Sequence, residues 1–265
     1  MSELPIDLDA GQYQRVSVDD CWHGWSMEGG SSMPLSEEKA ARPYAHWQLA
    51  ADLNTPGADD VHRGTVIQKL WNAVDVRVKT LHEAYSLSRL RPILASGKKS
   101  NTLDVLEQLG LVRPLILRKI KDIRNTVEHQ DTGVPGHSDC ENLVDTVWYF
   151  LRSTDSLAME RPMTFDLSSG VPTGSLAGSR QFISFTMEEA NWNVHARGWF
   201  WPHEVAEVDS EATAGLIIDL DQEPRSGRDG ALYVSGTVDP RSTLMTSVIR
   251  KYFTLGLPRG ATHDG

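Results

Sequence analysis

The stretch from Arg113 to Asp131, RPLILRKIKDIRNTVEHQD, reads as one amphipathic helix. Ile116, Ile120, Ile123 and Val127 recur at helical spacing, which lays them along one face. Arg113, Arg118, Lys119, Lys121 and Arg124 crowd the rest of the surface, with Asp122 among them. The helix closes on Arg124-Asn125-Thr126-Val127-Glu128-His129. An arginine and a histidine thus sit little more than one turn apart, with an amide between them, at the exit of a basic helix. That is where chemistry would be expected.

Working outward, the flanking segments are helical too. Ser36 suits an N-cap, with Glu37 and Glu38 in the first turn, and Pro43 is expected to kink or restart that helix. Asp59 or Asp60 caps a long second helix with Val66, Ile67, Leu70, Trp71, Val74, Val78, Leu81 and Tyr85 on its inner face, fading near Arg91-Pro92. Asn101 caps a short helix that Gly110 closes. After the turn-rich Thr132–Gly136, Ser138 and Glu141 form an expected capping box. Leu143, Val144, Val147, Trp148 and Leu151 are the expected buried face of the helix behind it.

At Glu160-Arg161-Pro162 the period changes to alternation. Strands are predicted at Met163–Leu167, Gln181–Met187, Trp192–Trp201, Gly215–Leu220 and Ala231–Val238, with a final helix capped by Asp239 and opened by Pro240. The predicted organisation is an irregular segment over 1–35 and an all-α up-and-down bundle over 36–158. A mainly antiparallel α+β domain follows over 161–257, then a flexible tail over 258–265. The fold class is therefore multi-domain. Trp22 and Trp25 are expected to tuck against the helical body. Trp192, Trp199, Phe200 and Trp201, with His195 and His203 nearby, read as a packed β core; with Arg197 the aromatics can also stack bases.

Composition bounds the function. The 265 residues are 40% hydrophobic and 23% charged, a globular make-up. No apolar run reaches the roughly 18 residues that a membrane span needs. MSELPIDLDAGQYQ has neither a basic start nor an apolar stretch, so no secretory signal is expected there. Cys21 and Cys140 make no disulfide framework, which suits a cytoplasmic setting. A net charge of −10 argues against the whole surface binding nucleic acid but leaves room for a local basic patch.

Several chemistries lack their motifs. There is no phosphate-binding P-loop, no CxxC and no HExxH. Gly170, Gly174 and Gly178 do not make a dinucleotide fingerprint, and Gly174–Gly178 is not a nucleophile elbow. His129, Asp131, His137, Asp139 and Cys140 cluster in sequence, but their spacing matches no common zinc pattern. No metal and no cofactor is expected.

Arg124-Asn125-x-x-x-His129, late in a helical bundle and followed by a short loop and another amphipathic helix, resembles the R-x(4–6)-H signature of the HEPN superfamily. The resemblance covers about residues 36–157. It implies a metal-independent endoribonuclease, of the kind found as toxins of toxin–antitoxin pairs and in phage defence. It also implies a homodimer in which two motif helices build one site on single-stranded RNA. On that reading His129 transfers protons, Arg124 holds phosphate oxygens, and Asn125 orients the ring or binds phosphate. Glu128 pairs with Arg124 or with a partner chain, and Arg118, Lys119 and Lys121 guide the RNA backbone. A subclass of the family carries a tyrosine two residues after the histidine, which a partner enzyme adenylylates. Asp131 stands there, so that mode of inactivation is not expected, while another antitoxin or defence-complex partner stays open.

The same residues admit a plainer reading. Arg124 and Glu128 also suit a surface ion pair, and His129 a cap for the last carbonyls of its helix. The bundle would then be a non-catalytic module for dimerisation or partner binding.

Overall fold

The computed structural model describes residues 14–94, 101–113, 115–116, 118–119, 122–123, 125, 133–170, 181–188, 190–227 and 230–255. It is a mixed arrangement of helices and one antiparallel sheet. The chain divides into two compact units. One comprises Met1–Ser31 with Met163–Val248, and the other Ser32–Pro162 with Ile249–Gly265.

The second unit is helical. Its helices are α1 (Glu37–Leu53), α2 (Asp60–Tyr85), α3 (Leu87–Leu94), α4 (Thr102–Gln108), α5 (His137–Ser153) and α6 (Asp155–Met159), with α1, α2 and α5 packed on one another. Ser36 accepts the Lys39 N–H and Asp59 the His62 N–H, as capping residues should. Asn101 and Asp104 form a reciprocal capping box, and Gly110, at φ +77°, closes that turn.

Three helix boundaries are sharpened. α1 continues through Pro43, which is buried, so the helix does not restart there. α2 stops at Ser86, which adopts left-handed φ +45°, so the break precedes Arg91-Pro92 and Pro92 lies inside α3. α5 starts from Gly136, whose carbonyl accepts the Cys140 N–H, so Ser138 is already helical and caps nothing.

The fully buried side chain of Arg77 ties this unit together. Its guanidinium donates to the carbonyls of Thr154 (3.1 Å) and Ala40 (3.1 Å) and to Asp155 (2.9 Å). The Tyr44 hydroxyl also donates to Asp155, at 2.7 Å. Burial and that carboxylate push the Tyr44 phenol up to about 12.

The first unit is built on the sheet. Its strands are β1 (Arg15–Val18), β2 (Ser26–Pro34), β3 (Glu160–Ser168), β4 (Phe182–Glu188), β5 (Asn193–Phe200), β6 (Val205–Glu207), β7 (Leu216–Leu220), β8 (Arg225–Ser226) and β9 (Leu232–Val238). They lie in the order β2-β3-β4-β5-β9-β7-β1-β6, with β8 beside β9. Alternate residues form the core face, among them Phe165, Phe185, Val194, Phe200, Val234 and Ile218. A Cβ on Gly198 would collide with the Phe182 carbonyl, so that position needs glycine.

The segment expected to be irregular supplies two of these strands. β1 inserts between β6 and β7, and β2 lies next to β3 at the end of the sheet order. SMEGGSSMP reads as a loop by composition. As an edge strand it uses its small residues for close approach: a Cβ on Gly30 would lie 2.6 Å from the Thr164 carbonyl oxygen. Trp22 and Trp25 tuck against the sheet rather than a helix, with ring centroids 5.6 Å from Phe185 and 6.2 Å from Phe200.

Asp239 does not cap the last helix, α7 (Met245–Leu255), which begins six residues further on. Its carboxylate is taken by Arg15 and by the Arg241 side chain and backbone N–H. The Arg241 hydrogen bonds come first among the causes that hold its carboxyl below the ordinary range.

Two measurements follow. Arg77→Ala leaves Asp155 and two carbonyls without their buried donor and is expected to cost about 3–5 kcal/mol in urea unfolding. A loss under about 1 kcal/mol overturns the role of the pair. Because the folded pKa of Asp239 is depressed, its contribution is complete above the unfolded value and is lost as pH falls through the folded one. Asp239→Asn should therefore lower the thermal midpoint at neutral pH, and the difference from the parent protein should shrink below about pH 4.

Candidate functional site

The basic segment sits between the loop after α4 and the start of α5. Leu111 and Val112 are buried just ahead of it. Residues 115, 116, 118, 119, 122, 123 and 125 are helical. Ile123 is only 1% exposed and Ile116 is half-buried, as the inner stripe requires. Asn125, two residues beyond Ile123, is exposed, as are Arg118 and Asp122, while Lys119 is half-buried. The segment is thus anchored along one side and leaves the amide of the motif open.

Arg124, Glu128 and His129 lie outside the described residues, as do Lys121, Ile120 and Val127. Of the expected catalytic set, only Asn125 has a described position. Of the expected RNA-contacting set, Arg118 and Lys119 do.

Beside the segment is a cleft of about 320 Å³, lined by Lys119, Asp122, Ile123, Pro135, Asp139, Asn142 and Leu143. It lies against the first turns of α5. Asp139, considered above only as part of a metal-like cluster, and Asn142 line it from those opening turns, where Asp139 also favours the helix dipole.

The sequence cluster that tempts one to a metal separates here. His137 Nδ1 lies 3.2 Å from Asn54 Oδ1, and the Cys140 thiol donates to the Pro135 carbonyl at 3.8 Å. Among the described residues, no group of three or more His, Cys, Asp or Glu side chains could hold a metal ion. Among them, too, no helix is long and apolar enough to cross a membrane.

Charge is divided unevenly between the units. All eight lysines fall in the helical unit, which carries 20 Lys+Arg against 18 Asp+Glu. The sheet unit carries 6 arginines against 18 acids, a net charge of −12. An anionic ligand is therefore drawn to the helical unit over the sheet unit as a whole.

Helix α5 departs from its expected packing. Trp148 is 36% exposed and Tyr149 59%, with their rings 5.0 Å apart, while Cys140, Val147, Phe150 and Leu151 are buried. In the sheet unit, Trp192 and Phe200 are core residues, but Trp199 stands on the opposite face from Phe200 and is half-buried. Strict alternation along Val194–Phe200 is the signal that separates them.

Comparison of the chain with family models, with curated proteins and with solved structures finds no match.

Neither thiol is set up as a nucleophile. Burial raises Cys140, and burial, with a hydrogen bond to Asp19, raises Cys21. Both should resist iodoacetamide at pH 8 in the native protein and react once unfolded in urea. Native alkylation as fast as in urea would contradict this.

Proposed function

We propose that the helical unit is a metal-independent endoribonuclease module of HEPN type, cleaving single-stranded RNA at a site that two copies of the chain complete. The carrying observation is the exposed Asn125 on a helical segment whose Ile123 is buried. The concentration of lysine in the same unit supports it, because a polyanion is steered toward positive surface.

The chemistry needs two proton movements. The 2′-hydroxyl loses a proton as its oxygen attacks phosphorus, and the departing 5′-oxygen gains one as its bond to phosphorus breaks. Imidazole serves both because its ordinary pKa lies near neutral pH, and His129 from each copy gives the pair. Arg124 stays charged and holds the non-bridging oxygens as negative charge builds on them. Asn125 orients the imidazole or the phosphate. Glu128 aligns Arg124. Arg118, Lys119 and Lys121 carry the flanking backbone.

A second reading has its own observation. The exposed Trp148–Tyr149 pair on α5 is the kind of aromatic surface that anchors a protein partner. It fits a non-catalytic dimerisation or partner-binding module in a defence or regulatory complex.

Labelled single-stranded RNA incubated with the protein in EDTA separates the two. Cleavage is expected in EDTA, with a rate maximum near neutral pH and a loss of about 10²–10⁴-fold in His129→Ala. Equal cleavage by the parent and His129→Ala, or cleavage that EDTA abolishes, rejects the assignment. Absence of cleavage in both leaves the binding module.

A further inference from the structure

The sheet has a second face, and its residues are not those of a plain solvated surface. Register places Phe182, Trp199 and Tyr233 side by side on β4, β5 and β9, with Arg225 of β8 across from Tyr233. The Trp199 and Tyr233 rings are 5.2 Å apart and inclined at 58°, forming an open aromatic wedge. One row along, Ser184, Arg197 and Ser235 stand in register. Arg197 is therefore diagonal to Tyr233, and the two arginines flank the wedge on either side of β9.

Two acids of this face already have partners: Arg15 binds Asp219 at 2.7 Å, and His195 Nε2 lies 2.5 Å from Asp221. Arg197 is exposed and, among the described residues, makes no hydrogen bond or ion pair. Arg225 donates to the neutral Gln222 at 2.5 Å. In a unit with 18 acids and 6 arginines, two arginines without a carboxylate partner stand beside a half-buried tryptophan and tyrosine. Such an arrangement suits a ligand with a flat aromatic part and one anionic part.

We propose that this face binds a mononucleotide, the base stacked on Trp199 with the inclined Tyr233 ring beside it, and the phosphate held by Arg197 and Arg225. Base–aromatic stacking tolerates any base, and arginine supplies the bidentate grip on phosphate. The length of the ligand follows from charge. Asp166 stands opposite Ser184 at one end of a row, and the unit carries −12 overall. Each further phosphate of a polynucleotide meets repulsion that a single phosphate between two arginines escapes. A free mononucleotide is therefore favoured over an RNA strand. The site is independent of the ribonuclease reading.

Adenosine 5′-monophosphate titrated into the full chain by calorimetry tests it, with adenosine, inorganic phosphate and an oligoadenylate of about twenty nucleotides as comparisons. The expected result is saturable binding of the monophosphate, weakened about tenfold or more by Trp199→Ala and by Arg197→Gln. Arg197→Gln changes only an exposed side chain, and Trp199→Phe, which keeps an aromatic face, should retain most of the affinity. Adenosine and phosphate should each bind more weakly. The proposal is overturned by no binding of the monophosphate, or by binding that both variants leave unchanged. Binding that His129→Ala abolishes while Arg197→Gln does not also overturns it, since it belongs to another site. So does an oligoadenylate that binds more than about tenfold tighter, which would make the face an RNA-strand platform.

Discussion

The guanidinium of Arg77 is buried, and its two terminal nitrogens find acceptors on three segments of the helical unit. The carbonyls it reaches belong to α1 and to the junction of α5 with α6, while the arginine itself belongs to α2. One planar group therefore fixes three helices at one point, and Asp155 supplies the counter-charge. Tyr44 and Arg152 converge on the same carboxylate, so its lone pairs are occupied from several sides. A buried ion pair adds little to stability over an apolar pair of equal size, but leaving either partner alone is costly. Its consequence here is register: α1, α2 and α5 have one arrangement in which no charge is stranded.

Charge is also what distinguishes the two units. The sheet unit contains no lysine, and two of its six arginines, Arg15 and Arg241, are taken up by Asp239. The helical unit holds every lysine and the basic segment that leads to Asn125. One chain of net charge −10 thus presents two quite different electrostatic surfaces. The overall figure conceals this, because it sums a nearly balanced unit with a strongly acidic one.

The sequence was most legible where period and punctuation agreed. The caps at Ser36, Asp59 and Asn101 and the five strands from β3 to β9 with clear alternation stand close to where their patterns put them. It was least legible where a residue's role depends on something distant. Asp239 has the local look of a helix cap, yet its carboxylate belongs to Arg15, far away in sequence. β2 has the composition of a loop, and only the neighbouring strand makes it a strand. Trp148 fits the helical stripe of α5 but lies where that stripe meets the surface. For the candidate site, Ile123 and Asn125 fall on the sides that the period assigned them, while Arg124 and His129 lie outside the described residues.

The insertion of β1 between β6 and β7 sets a schedule for the nascent chain. Arg15 is among the first described residues to leave the ribosome, and its partner Asp219 follows 204 residues later. At about 5–20 residues per second, β1 waits roughly 10–40 s for its neighbours. Helices α1 to α6 emerge within that interval, while Tyr85 of α2 meets its ring partners Tyr252 and Phe253 only after the last helix is made. The mutual packing of α1, α2 and α5 can therefore form while the strand that precedes them is still an open edge, available to any other strand it meets. The arrival of β6 and β7 on its two sides closes that window.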